Sequence, residues 1–175
     1  MYMRIFTTAF LVLSISLTAL SQHINSGKSE VNFEVGNLGF NTVDGRFKKM
    51  DGMIVFNPND LSSASFNVCL DASMIDTKNK KRDDHLKNED FFSVEKYPEI
   101  CFKSESITKQ KESYLVKGKL TMCGVTKLIE IPFTYISKTF SGSFTINRYD
   151  YNVGTSTSKF MVSEDVAITI VCVVE

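Results

Sequence analysis

Apolar and polar residues alternate along most of this chain. Over residues 29–35, Val31, Phe33 and Val35 fall on one face and Glu30, Asn32 and Glu34 on the other, the period of two that marks a half-buried strand. Phe66, Val68 and Leu70 form a second one-sided set against Asn67, Cys69 and Asp71, and Ile100 and Phe102 a third against Cys101 and Lys103. Val116, Leu120 and Met122 share a register with Gly118; Ile129, Ile131, Phe133 and Tyr135 follow, then Phe140, Phe144 and Ile146, and a β-branched run fills 166–174. Turn formers separate these sets. Gly36 and Gly39 loosen the backbone, Asn57-Pro58-Asn59-Asp60 stops a strand carrying Ile54 and Phe56, and Met50-Asp51-Gly52-Met53 predicts a hairpin turn after Phe47. Eight or nine strands so spaced predict an antiparallel sandwich or barrel. A closed barrel of about eight strands leaves no exposed edge and can enclose one small ligand.

One segment breaks the alternation. Residues 79–88 are polar and helix-forming, and they run into Asp90-Phe91-Phe92 and then Tyr97-Pro98. The only large apolar residue of the helix is Leu86, so it has no broad face to bury. Asp83 and Lys87 are spaced for an i,i+4 pair, which contributes roughly 0.2–0.5 kcal/mol. Such a helix must be held by tertiary contacts, with Leu86, Phe91 and Phe92 as anchors. The pattern therefore predicts a short helix capping one end of the barrel.

Composition narrows the function. Met1-Tyr2-Met3-Arg4 precedes an apolar run of about 16 residues, short of the roughly 18 of a membrane span, and Ala19-Leu20-Ser21 offers small residues for cleavage. The pattern predicts a signal peptide over 1–21, cleaved near Ser21/Gln22, a periplasmic or secreted protein, and no integral span after the cleavage point. Residues 22–175 are then one domain, long enough for a sizeable core. Basic and acidic residues balance at 20 each, and removing the leader takes only Arg4 from the basic side. A broad basic nucleic-acid surface is therefore disfavoured. Export permits disulfides among Cys69, Cys101, Cys123 and Cys172, but sequence does not choose among the three complete pairings. No two of these cysteines are spaced like zinc ligands, and no metal or cofactor is expected.

The inward faces supply the candidate site: Val31, Phe33, Val35, Phe56, Phe66, Val68, Leu70, Phe102, Leu120, Met122, Phe133 and Phe144, with Phe91 and Phe92 at the helix end. By alternation alone these side chains either line a cavity or fill it. Arg148 shares parity with Phe144 and Ile146, so an unbroken strand would turn its guanidinium inward, where a charge needs a partner. Asp150, two residues on, is the natural one. Arg148 with Asp150, and Arg82 with Asp83 and His85, are candidate polar anchors for a ligand head group. The competing reading ends the strand at Asn147, leaving Arg148 solvated or in a purely structural salt bridge, and makes Arg82 and Asp83 a salt bridge that pins the helix to the barrel. His85 is the one credible catalytic histidine, since His23 sits in what reads as a loose N-terminus. Cys69 and Cys101 face outward, beyond the reach of a lumenal His85, so no catalytic residue is assigned and the protein is read as a non-enzyme.

Four stretches, in order, resemble the YceI-like lipid and polyisoprenoid-binding family: Gly45-x-Phe47 with Gly52-x-Ile54-x-Phe56; Arg82-Asp83-x-His85-Leu86 with Asp90-Phe91-Phe92 and Tyr97-Pro98; Gly118-x-Leu120-Thr121-x-x-Gly124-Val125-Thr126-Lys127; and residues 144–150, F-T-I-N-R-Y-D. The resemblance implies an extended lipocalin-like barrel with an apolar tunnel. It also implies an exported, non-catalytic protein that holds a long-chain isoprenoid or quinone-like amphiphile for carriage, sequestration or storage. Tyr151-Asn152 depart from the Phe-Gly common in that family, and the four cysteines are not part of its pattern. The alternative is a packed barrel acting as an interaction or stress-response protein, whose partner is another protein. A homodimer is open in either case.

Overall fold

The computed structural model of the protein describes residues 21–175. The expected leader therefore lies, but for Ser21, outside the described residues. The alternating sets become strands β1 (Ser21–His23), β2 (Glu30–Asn37), β3 (Asn41–Phe47), β4 (Met50–Val55), β5 (Ser65–Asp71), β6 (Ile75–Asp76), β7 (Glu99–Lys109), β8 (Tyr114–Met122), β9 (Val125–Ile136), β10 (Thr139–Asn147) and β11 (Val162–Val173). The helix α1 (Lys80–Leu86) lies between β6 and β7, and single 3₁₀ turns occupy Ala72–Met74 and Arg148–Tyr151. The strands form one antiparallel sheet in the order β1-β4-β5-β7-β8-β9-β10-β11-β2-β3-β6, curled into a half-barrel of lipocalin-like form. Near the edge, β1 pairs with β4, and the next residue, Ile24, bridges Val174 just beyond β11. The first strand thus ties the outermost pair back towards the middle of the sheet. His23 belongs to this strand, not to a loose terminus. The count exceeds the expected eight or nine because strands of two or three residues, such as β1 and β6, carry no readable period.

Alternation places the core as expected. Val31 and Phe33 of β2 are buried while Glu34 between Phe33 and Val35 is exposed, and Tyr114, Val116, Leu120 and Met122 of β8 are all buried. Residues of alternate parity go inward because side chains on a pleated strand point to opposite faces. The concave face of the sheet thus collects one continuous apolar cluster. At the end away from α1, Phe56 packs against Phe66, Tyr114, Phe133, Tyr135 and Phe140, with ring centroids 5.0–6.1 Å apart. Aromatic pairs at these separations favour tilted and edge-on geometry, and together the six rings close that end.

Two expectations are corrected. Asp51-Gly52 is not a hairpin turn: both residues lie inside β4, paired with Cys69 and Val68 of β5. The chain reverses earlier, at Lys48 and Lys49, where Lys49 takes a positive φ of 59°. Strands β3 and β4 are not ladder neighbours; β3 pairs with β2 and β6, and β4 with β1 and β5. Gly52 is required for packing: its φ is +135°, and a Cβ there would collide with the Asn67 carbonyl oxygen. The second correction concerns α1. Its i,i+4 pair is Lys80 with Asp84, at 2.6 Å, because Asp83 is drawn away from Lys87. The Asp83 carboxylate accepts from the Thr77 amide and hydroxyl, at 2.8 and 2.5 Å.

Cys69 and Cys101 are directly opposed across β5 and β7 and are bonded to each other. Neither lines the interior; both lie on the outward parity, as alternation predicts. Cys123 and Cys172 are free thiols.

Candidate functional site

Beneath α1 the concave face does not close. Two apolar chambers abut there, with Phe47, Met122, Ile146 and Ile168 lining both. The inner chamber, about 160 Å³, is lined entirely by strand residues. The outer one, about 320 Å³, lies under α1, the 3₁₀ turn at Arg148–Tyr151 and the loop leading into β11. Its size is that of small-ligand pockets, roughly 300–1,000 Å³.

The expected lining residues divide between the chambers. Val31, Phe66, Val68, Leu70, Phe102, Leu120, Phe133 and Phe144 face the inner one, Phe33, Val35, Phe91 and Phe92 the outer, and Met122 both. Phe56 lines neither; it stands behind Phe66, Phe133 and Phe140 in the closing aromatic cluster. Val166, Ile168, Ile170 and Cys172 of β11 also line the space, although alternation does not single them out. In this stretch apolar residues fall on both parities, Ala167, Val171 and Val173 as well as Val166, Ile168 and Ile170, so the inward set is not legible from alternation. Thr157, Met161 and Val162 of the outer chamber come from a mixed polar loop and its junction with β11, and had no sequence signal.

Tertiary contacts shape the helix end. Asn79 caps α1 by accepting from the Arg82 amide, as N-cap asparagines do. No residue of the helix is buried. Phe91 is buried, with its ring 5.1 Å from that of His85, and Phe92 stands edge-on to Phe47 at 5.2 Å. Arg82 and Asp83 do not form a salt bridge with each other in this arrangement. Both converge on Thr77, Arg82 donating to its hydroxyl and carbonyl oxygens at 2.8 and 2.9 Å. Thr77 is the clasp that holds the helix to the sheet. Arg82 and His85 line the outer chamber, whereas Asp83 does not.

Arg148 corrects the expected pairing with Asp150. The β10 strand ends at Asn147, and Arg148 opens the 3₁₀ turn, 4% exposed. Its guanidinium donates to five backbone carbonyls, those of Ser163, Val153, Gly154, Thr157 and Val162, at 2.5–3.0 Å, and to the Tyr149 hydroxyl at 2.9 Å. It also lies over the Tyr149 ring, 4.1 Å from its centroid. Asp150 points away and pairs with Lys127. A guanidinium has five N–H groups, and here every nitrogen is committed to protein acceptors. Arg148 borders the outer chamber, but its donors organise the loop at 152–162 and are not directed at a ligand.

The remaining titratable groups do not resemble a nucleophilic centre. Burial pushes the Cys123 thiol up to about 11 and Cys172 to about 11, whereas a reactive cysteine needs a lowered value. The Cys123 sulfur rests against the Phe91 and Phe92 carbonyl oxygens. Burial raises the Tyr151 phenol to about 12. Glu99 lies beside the Cys69–Cys101 pair, close enough for its carboxylate and the two sulfurs to form a ligand-like group, but both sulfurs are spent on the disulfide. Among the described residues, no helix is long and apolar enough to cross a membrane.

A curled antiparallel sheet around an apolar double chamber, with one short helix at the mouth, defines a lipocalin-like barrel protein. Residues 23–174 match the YceI-like domain, and the chain belongs to that family. It is 38% identical to a UPF0312 protein of Photorhabdus laumondii over 55% of this chain and 50% of the relative. It is 35% identical to Protein YceI of Salmonella arizonae over 58% and 53%. The chain thus spans about half the length of the curated relatives it matches. Among solved structures, BcnA of Burkholderia cenocepacia superposes with a TM-score of 0.81 at 27% identity, over 86% of this chain and 98% of that one. A polyisoprenoid binding domain from Saccharophagus degradans shares the fold, with a TM-score of 0.69 at 16% identity over 88% and 97%.

Proposed function

We propose that this protein is an exported, non-catalytic container for a long-chain isoprenoid or related amphiphilic lipid, acting in the periplasm or outside the cell. The observation that carries the reading is the pair of abutting chambers, walled almost wholly by hydrocarbon and closed at the far end by the Phe56 cluster. An apolar chain entering under α1 would fill the inner chamber and leave its head in the outer one. Burial of the chain supplies the affinity, about 0.8 kcal/mol per methylene removed from water. The likeness in fold to a polyisoprenoid binding domain and the apolar run before Ser21 support the same reading. Unfilled apolar volume in the core favours it over a packed barrel whose partner is a protein.

With Arg148 committed to carbonyls, the head-group contacts fall to Arg82 and His85 at the mouth. Arg82 uses Nε and Nη2 on Thr77, and Nη1 has no partner among the described residues. The deciding experiment is organic extraction of the purified protein followed by mass spectrometry. A stoichiometric long-chain lipid is expected. Protein that is lipid-free as isolated, and that also takes up none from added isoprenoid, would exclude the container.

A further inference from the structure

The mouth of the outer chamber is edged by apolar side chains that the protein leaves uncovered. The β2–β3 hairpin turns at 38–40, and Phe40 at its tip is 86% exposed. The turn at 158–161 lies directly beside it. The Leu38 amide donates to the Met161 carbonyl at 3.0 Å, and Asn37 pairs with Val162. In that turn Phe160 is 69% and Met161 48% exposed, and Met161 also lines the chamber. Single exposed hydrophobes are ordinary, but several side by side at a cavity mouth mark a surface that is covered in use.

Charge identifies what covers it. Residues 38–43 carry no charged side chain, and 155–161 carry only Lys159. Across the chamber, the segment 78–87 holds Lys78, Lys80, Lys81, Arg82 and Lys87 against Asp83 and Asp84. Asp84 pairs with Lys80, while Lys78, Lys81 and Lys87 have no ion-pair partner among the described residues. The segment 78–87 therefore carries a net basic charge beside an apolar rim, before Glu89 and Asp90 follow it. Apolar side chains flanked by lysines suit the boundary between phosphates and acyl chains, and a rim with a net basic charge disfavours contact with a second copy of itself.

We propose that this rim docks on an anionic lipid bilayer. Phe40 and Phe160 insert among the acyl chains, while Lys159 and the lysines of 78–87 meet the head-group phosphates. A lipid can then pass between bilayer and outer chamber without drawing its methylenes through water, a step hydrophobic hydration opposes. The inference rests on the container reading and names the surface with which the container exchanges.

Flotation with phosphatidylcholine vesicles, and with vesicles that also contain phosphatidylglycerol, tests it. The protein is expected to bind the mixed vesicles at low salt and to be released as salt screens the phosphates. The F40S/F160S double variant, altered only at exposed positions, is expected to bind them roughly tenfold more weakly. K81E/K159E, which keeps both phenylalanines, is expected to lose the preference for phosphatidylglycerol. The proposal is overturned if the wild type ignores mixed vesicles at low salt or if F40S/F160S floats as well as the wild type. It is equally overturned if light scattering finds a dimer that F40S/F160S dissolves while vesicle binding is absent. Mass spectrometry of lipid extracted from the same proteins separates the two ideas. Lipid-filled protein that ignores vesicles sinks the docking surface alone, whereas vesicle binding by a protein that holds and takes up no lipid sinks the container.

Discussion

At the scale of the residue, Arg148 shows how a charge can be buried without an opposite charge. Its carbonyl acceptors belong to the loop at 152–162 and to the start of β11, so one side chain gathers a segment that lacks regular structure of its own. Gly154 takes part because its φ is +60° and a Cβ there would press on the Phe91 ring and on Arg148 itself. Arg148→Met would leave several inward-facing carbonyls without donors. Each unsatisfied buried group costs about 1–3 kcal/mol, so a loss of roughly 3 kcal/mol or more is expected in urea denaturation. Arg82→Met touches a half-exposed clasp and is expected to cost about 1 kcal/mol. Its effect on binding is the informative one: alcohols and acids of a given chain length should weaken more than the plain hydrocarbon. Equal weakening of all three would remove Arg82 from the head-group site.

At the scale of the element, the sheet is held by opposed pairs more than by any single strand. The Cys69–Cys101 bond joins β5 to β7 on the convex side, and both strands also supply Val68, Leu70, Ile100 and Phe102 to the inner chamber. The bridge therefore fixes the register of one chamber wall without occupying the chamber. It closes a loop that contains β6, α1 and the Phe91-Phe92 turn, the two cysteines being 32 positions apart. Constraining an unfolded loop of that length stabilises by about 2–4 kcal/mol. The C69S/C101S variant is expected to unfold at correspondingly lower urea, and chemical reduction of the wild type should reproduce the shift. Identical midpoints for oxidised, reduced and substituted protein would show that the bridge contributes nothing. The helix it encloses is stabilised by its Asn79 cap and the Thr77 clasp, in keeping with the absence of any buried residue along its length.

At the scale of the whole molecule, the length of the cavity would set the chain length of the proposed ligand. The space runs from α1 to the aromatic cluster around Phe56, with Phe144 of β10 on the inner wall. Affinity is expected to rise with chain length until the inner chamber is full and then to level off. Because the contacts are apolar, it should depend little on salt. Phe144→Trp adds volume at that wall and is expected to shorten the longest chain retained after extraction, with the fold checked by circular dichroism. An unchanged chain-length profile in a folded variant would mean that the chain does not reach the inner chamber.

Most of the long strands, the faces they present and the helix are legible in the sequence, because period-two alternation is local and a capped polar stretch is equally local. The sequence placed Cys69 and Cys101 on the outer face for the same reason. It did not determine that these two cysteines are partners, since their bond depends on β5 and β7 being neighbours, which is a property of the sheet. It could not place the inward set of β11, where both parities are apolar. The hairpin read at Asp51-Gly52 failed because the same dipeptide that suits a turn also lets a strand pass close beneath the Asn67 carbonyl. Asp83 and Asp150 were assigned partners by nearness along the chain, whereas their real ones, Thr77 and Lys127, are brought to them by the packing of α1 and the end of β10. Whether inward-facing phenylalanines fill a space or line it depends on how far the sheet curls. That curvature is set by the pairing of strands distant in sequence, which no local pattern encodes.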